Sequence, residues 1–171
     1  MMKHPILPAT DLEKKIFTIS TEQEFRQALL SEFLYQHDQN PVYRRYCDLL
    51  GVDPARVMDI SDIPFLPIEL FKKHPIIAGD QKWEKLFTSS GTTGMERSHH
   101  YIRKTELYRQ SFLRGFQHFY GPLADYCILA LLPGYTENPN SSLVYMTREL
   151  IRESGPPESG FYLEDLEGLA W

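Results

Sequence analysis

Phe25, Ala28, Leu29 and Phe33 recur at steps of three and four residues. That is the spacing of one helix face, and it predicts a helix over 20–36. Ser20-x-x-Gln23 at its start reads as a capping box. Pro41 stands where a first helical residue is favoured, so a second helix is expected over 42–50, with Gly51 as its stop. Pro64 forces an extended approach, and Pro67 opens a short helix over 68–73. Ile76, Ile77 and Ala78 read as a short strand ending at the turn Gly79-Asp80. The stretch from Lys3 to Phe17 mixes prolines with charges and reads as an arm. Residues 1–80 are therefore expected to form a mostly helical N-terminal segment.

The pattern changes over 81–171. Leu86-Phe87-Thr88 is a brief apolar run of strand type. Leu107, Phe112, Phe116 and Phe119 place a helix over 104–119, stopped by Gly121-Pro122. Tyr126 to Leu132 is unbroken and apolar up to Pro133-Gly134, the profile of a central strand covered on both faces, with Cys127 buried inside it. Leu143, Val144, Met146, Leu150 and Ile151 predict an inward face of a helix over 141–153, and Phe161 to Leu163 opens another strand. Alternating strands and helices give an α/β class: a helical preface, then part of a mostly parallel sheet flanked by helices. The few strands and the acidic end at Trp171 read as one incomplete α/β lobe over 81–171. An open sheet edge of that kind predicts self-association.

Composition narrows the classes. In 171 residues, 18 Lys+Arg against 23 Asp+Glu leave a net charge of −5. This argues against non-specific nucleic-acid binding, which needs a basic surface. No apolar run is long enough to span a membrane, and no signal peptide is evident. Cys47 and Cys127 then read as reduced packing thiols of a cytoplasmic protein. No CxxC or HExxH spacing occurs, and the adjacent pair His99-His100 is a poor chelator, so no metal-ligand set is assigned.

One segment carries chemistry. Thr88-Ser-Ser-Gly-Thr-Thr-Gly94 packs five hydroxyls and two glycines into seven residues. Glycines let backbone N–H groups turn toward a ligand, and hydroxyls donate without adding charge. Together they suit phosphate oxygens or a magnesium-bound phosphate. The loop is neither the Gly-Lys-Ser/Thr phosphate loop nor the dinucleotide GxGxxG. On composition alone, an ordinary surface loop is the more common explanation.

Ser89-Ser-Gly-Thr-Thr-Gly94 after a short strand resembles the phosphate-binding signature of the adenylate-forming ligases, which include acyl-CoA synthetases and phenylacetate–CoA ligases. Ile63-Pro-Phe-Leu-Pro-Ile-Glu-Leu-Phe-Lys72 upstream and Leu132-Pro-Gly-Tyr-Thr-Glu-Asn-Pro-Asn-Ser-Ser-Leu-Val-Tyr-Met146 downstream are similar to the acyl-protein synthetases, the LuxE-like branch. The resemblance runs from about Phe33 to Met146. It implies the fold of the large N-terminal domain of adenylate-forming enzymes. It also implies an enzyme that binds Mg2+ and ATP, joins a fatty carboxylic acid to AMP, and passes the acyl group to a thiol or a partner acyl-reductase. By position, Ser89, Ser90, Gly91, Thr92, Thr93 and Gly94 would hold the ATP phosphates.

Where many members of the superfamily continue with Pro-Lys-Gly, this chain has Met95-Glu96-Arg97-Ser98. Arg97 either supplies the cation for phosphate or is a solvated arginine beside Glu96. Tyr135 lines the acyl pocket or is a turn tyrosine, and a helix N-cap explains one of Ser141 and Ser142. Family members are considerably longer, with a lysine-bearing lobe and a relay cysteine beyond the portion matched here. The chain is thus expected to need a C-terminal portion or a second chain, and no catalytic residue is assigned. The alternative is a non-catalytic remnant that binds nucleotide or a partner. A phosphatase-like α/β domain is discounted, because no catalytic aspartate or cysteine follows a strand.

Overall fold

The computed structural model describes residues 8–79, 82–89, 96–133, 138–165 and 167–170. The chain divides into two compact units. The first is Met1–Lys82 with Ser98–Tyr101, and the second is Trp83–Arg97 with Ile102–Trp171.

The first unit is helical. It holds α1 (Ala9–Lys15), α2 (Glu22–Gln39), α3 (Pro41–Leu49) and the single turn α4 (Leu70–Lys73). The arm expected over 3–17 thus contains α1. Its Pro8 sits just before the first turn, where a missing N–H costs nothing. Thr21, not Ser20, caps α2: its side chain accepts from the Glu24 N–H, and Glu24 reaches back to the Thr21 N–H. Glu24 also takes the N–H and hydroxyl of Ser20, which lowers its pKa. A carboxylate at that position outbids Gln23 because its charge strengthens each bond and complements the helix dipole. Pro41 occupies the first turn of α3, and the Asn40 side chain accepts from the Tyr43 N–H. Gly51 follows α3 with φ +69°, the left-handed conformation that glycine adopts without penalty.

The core of this unit is Phe33, Tyr43 and Cys47, with Leu34, Tyr46, Val52, Val57, Ile63 and Leu66 packed on it. Phe33 and Tyr43 meet edge to face at 6.2 Å. Phe25, at one end of the predicted α2 stripe, is 47% exposed. The strand expected over 76–78 is absent. Ala78 is buried there, and Gly79 donates to the Gln39 carbonyl, so this backbone is satisfied by a helix end and not by a ladder.

The second unit contains β1 (Lys85–Thr88), α5 (Thr105–Tyr120), β3 (Leu129–Ala130), α6 (Ser142–Glu153) and β4 (Gly160–Phe161). The short strand β2 (His99–Ile102) runs from one unit into the other. An α/β mixture is present, but the sheets are two-stranded. β3 and β4 are parallel, with Leu129 opposite Gly160 and Ala130 opposite Phe161. The mostly parallel sheet is not formed among the described residues. Along the expected central strand only Ala130 is buried, while Leu129 and Leu131 are about half exposed and Cys127 is exposed. The run pairs with β4 over two residues only, and Leu129 and Leu131 keep an uncovered face. Phe119, predicted inward on α5, is 79% exposed.

Candidate functional site

Phe87 is buried in β1, and its ring meets Tyr108 at 5.4 Å and Tyr145 at 5.5 Å. Tyr108 also contacts Phe112 and Tyr145. This aromatic cluster joins β1 to α5 and α6. Burial raises the Tyr108 and Tyr145 hydroxyl pKa values, and Ser142 at the start of α6 bonds to Tyr108. The cluster therefore anchors the strand that leads directly into the Ser/Thr/Gly loop.

At the end of β1 the Thr88 N–H donates to the Asn140 carbonyl at 2.9 Å. One residue later, Ser141 caps α6 by accepting from the Val144 N–H at 3.3 Å. The start of the Ser/Thr/Gly loop is thus tied to the end of the Pro-Gly-Tyr-Thr-Glu-Asn-Pro-Asn segment. Two of the three segments singled out in the sequence meet here. Ser89, first of the candidate phosphate ligands, is half-buried, and Arg97 is exposed. Ser90, Gly91, Thr92, Thr93, Gly94 and Tyr135 lie outside the described residues. The flanking donors are chemically of the right kind for a nucleotide phosphate: a hydroxyl where the strand ends and a guanidinium beyond the loop.

Two supports escape a linear reading. Lys104 precedes α5 without a side-chain cap. Glu84 supplies one from 21 residues away, accepting the Thr105 N–H and hydroxyl at 2.8 Å each. The Thr105 N–H is the main cause of the lowered Glu84 pKa. Glu149 is 3% exposed and meets Arg109 at 3.3 Å, Arg148 at 2.9 Å and Arg152 at 2.7 Å. Arg109 also pairs with Glu153, so these charges fix α5 against α6. Arg152 stands at i+3 from Glu149, but the Glu84–Thr105 and Arg109–Glu149 pairs join residues far apart in sequence, so only the fold reveals those.

In the first unit, His100 stacks on Phe71 at 5.0 Å, and its Nε2 lies 3.0 Å from the Ser98 hydroxyl. No three His, Cys, Asp or Glu side chains converge as a metal set among the described residues. None of the described helices is long and apolar enough to cross a membrane.

The profile described as acyl-protein synthetase, LuxE, matches residues 9–148, which include the loop and both flanking segments. The chain belongs to the acyl-protein synthetase (LuxE) family. It is 32% identical over 100 residues to the long-chain-fatty-acid–luciferin-component ligase of Vibrio harveyi. That stretch covers 53% of this chain and 26% of the relative, so the chain matches about a quarter of the relative's length. No solved structure matches the chain.

Proposed function

We propose that this chain contributes the nucleotide-phosphate-binding part of an enzyme that activates a fatty carboxylic acid with Mg2+ and ATP. The carboxylate oxygen attacks the α-phosphorus, the bond to pyrophosphate breaks, and an acyl-adenylate results. A thiolate then takes the acyl group and AMP leaves. The thiol belongs to the protein or to a partner acyl-reductase.

The reading is carried by the family match, which spans the Ser/Thr/Gly loop, together with the Thr88–Asn140 bond that fixes the loop's entry. Ser89, Ser90, Gly91, Thr92, Thr93 and Gly94 would hold the phosphates by backbone and hydroxyl donors. Arg97 would add a cation. Such a loop acts by positioning and by stabilising charge as it develops, with no proton transferred.

Two measurements test the reading. Mg-ATP should bind the chain, and Thr92→Val should weaken binding roughly tenfold with the fold intact, the effect of losing one hydrogen bond to a charged group. Unchanged affinity in the variant removes the loop from the site. Fatty-acid-dependent exchange of labelled pyrophosphate into ATP then separates the two functional readings. Exchange supports acid activation by the chain itself. Nucleotide binding without exchange supports the alternative, a non-catalytic module that binds nucleotide.

A further inference from the structure

The first unit contains a cavity of about 320 Å³ between α2, α3 and the segment 60–76. Its size lies at the lower end of small-molecule sites. Ile60, Ile63, Leu66, Phe71 and Ile76 give it an apolar wall. The polar groups on its lining are committed to one another. Gln36 donates to the Glu32 carboxylate at 2.8 Å, Asn40 donates to Gln36 at 3.1 Å, and the Asn40 oxygen accepts from the Tyr43 N–H. The Tyr43 hydroxyl donates to the Pro64 carbonyl at 2.7 Å and holds the far wall. A polar ligand would find few free partners here, whereas a hydrocarbon needs none. Phe65 lines the cavity and is nevertheless 79% exposed, a large ring standing in water at the rim of an apolar space.

We propose that this cavity holds the hydrocarbon tail of the carboxylic acid, an assignment that rests on the acid-activating reading above. The Glu32 carboxylate on the lining repels a second carboxylate, so the tail enters first and the acid group stays outside. Phe65 closes over the tail and loses its contact with water.

The test is displacement of a dansyl-labelled undecanoic acid from the full chain by saturated fatty acids of increasing length. Affinity should rise by up to roughly fourfold per added methylene until the cavity is full, then level off. Phe65→Ala removes only a solvent-facing ring, so the fold should hold, and the affinity for long acids should fall roughly tenfold. Leu29→Trp, checked for folding by circular dichroism, should move the plateau to shorter acids. Acids that bind both folded variants as they bind the parent chain would place the tail elsewhere and overturn the proposal, while leaving acid activation standing. A parent chain that binds no fatty acid would overturn the proposal, while Mg-ATP binding and pyrophosphate exchange decide the acid-activating reading separately.

Discussion

The Thr88 amide donates to the Asn140 carbonyl, and Asn140 immediately precedes the residue that caps α6. The cap therefore supports both a helix and the turn that holds the candidate loop's first residue. Ser141→Ala should cost the second unit about 1 kcal/mol, and Ser141→Asp should restore most of it. Urea unfolding followed by the fluorescence of Trp83, which lies in that unit, checks this. Equal stability in all three chains would show that the 3.3 Å bond to Val144 contributes nothing.

The two cysteines differ in accessibility. Cys47 is fully buried beside Phe33 and Tyr43, and burial pushes its thiol pKa up. Cys127 is exposed, with the Ser159 hydroxyl 3.9 Å from its sulfur. Thiolate fraction and access set the rate of thiol chemistry. In native conditions a disulfide reagent should titrate Cys127 alone, and Cys47 should react only after denaturant is added. Cys127→Ser should abolish the native-state signal. Rapid reaction of Cys47 in that variant would show that the first unit opens readily.

These cysteines also mark how far the sequence could be read. Helices with a local signal were legible: α3 announced itself through Pro41 and Gly51, and α6 through Ser141 and its apolar positions. Thr21 displaced Ser20 as a cap because adjacent hydroxyls compete and Glu24 decides between them. The strand carrying Cys127 was misread because an unbroken apolar run normally implies cover on both faces. Here only Ala130 found cover. The candidate site was legible as a motif and as an order of segments, but its supports were not. Glu84 capping α5 and Arg109 reaching Glu149 depend on partners that no local spacing reveals, whereas Arg148 and Arg152 are sequence neighbours of Glu149 on α6.

Glu149 is the charge on which α5 and α6 converge. Its side chain is 4% exposed and faces Arg109, Arg148 and Arg152, and the Arg148 guanidinium also lies over the Tyr145 ring. Glu149→Ala leaves three neighbouring cations without their shared anion, at a cost of about 3 kcal/mol. Glu149→Gln keeps the shape and an acceptor oxygen and should cost less. Arg152→Ala, at an exposed position, should cost under about 1 kcal/mol. Chemical denaturation gives all three values. A Glu149→Ala chain as stable as the parent would reduce the cluster to surface decoration.

Asp59 makes the first unit sensitive to acid. Its carboxyl pKa is lowered to about 2, first by the Ser61 N–H and then by Arg26, which bridges from α2. The folded value lies below that of an unfolded aspartate, so the native state favours the ionised form. The resulting stability is fully present above roughly pH 4 and is lost as pH falls toward about 2. Because the group faces solvent, added salt should weaken the Arg26 share, while the bonds to Ser61 persist. The denaturation midpoint of the parent chain should therefore fall more steeply over this interval than that of Asp59→Asn, whose side chain cannot titrate. Parallel curves for the two proteins would show that Asp59 has the same pKa folded and unfolded, and that the contacts to Ser61 and Arg26 do not stabilise its charge.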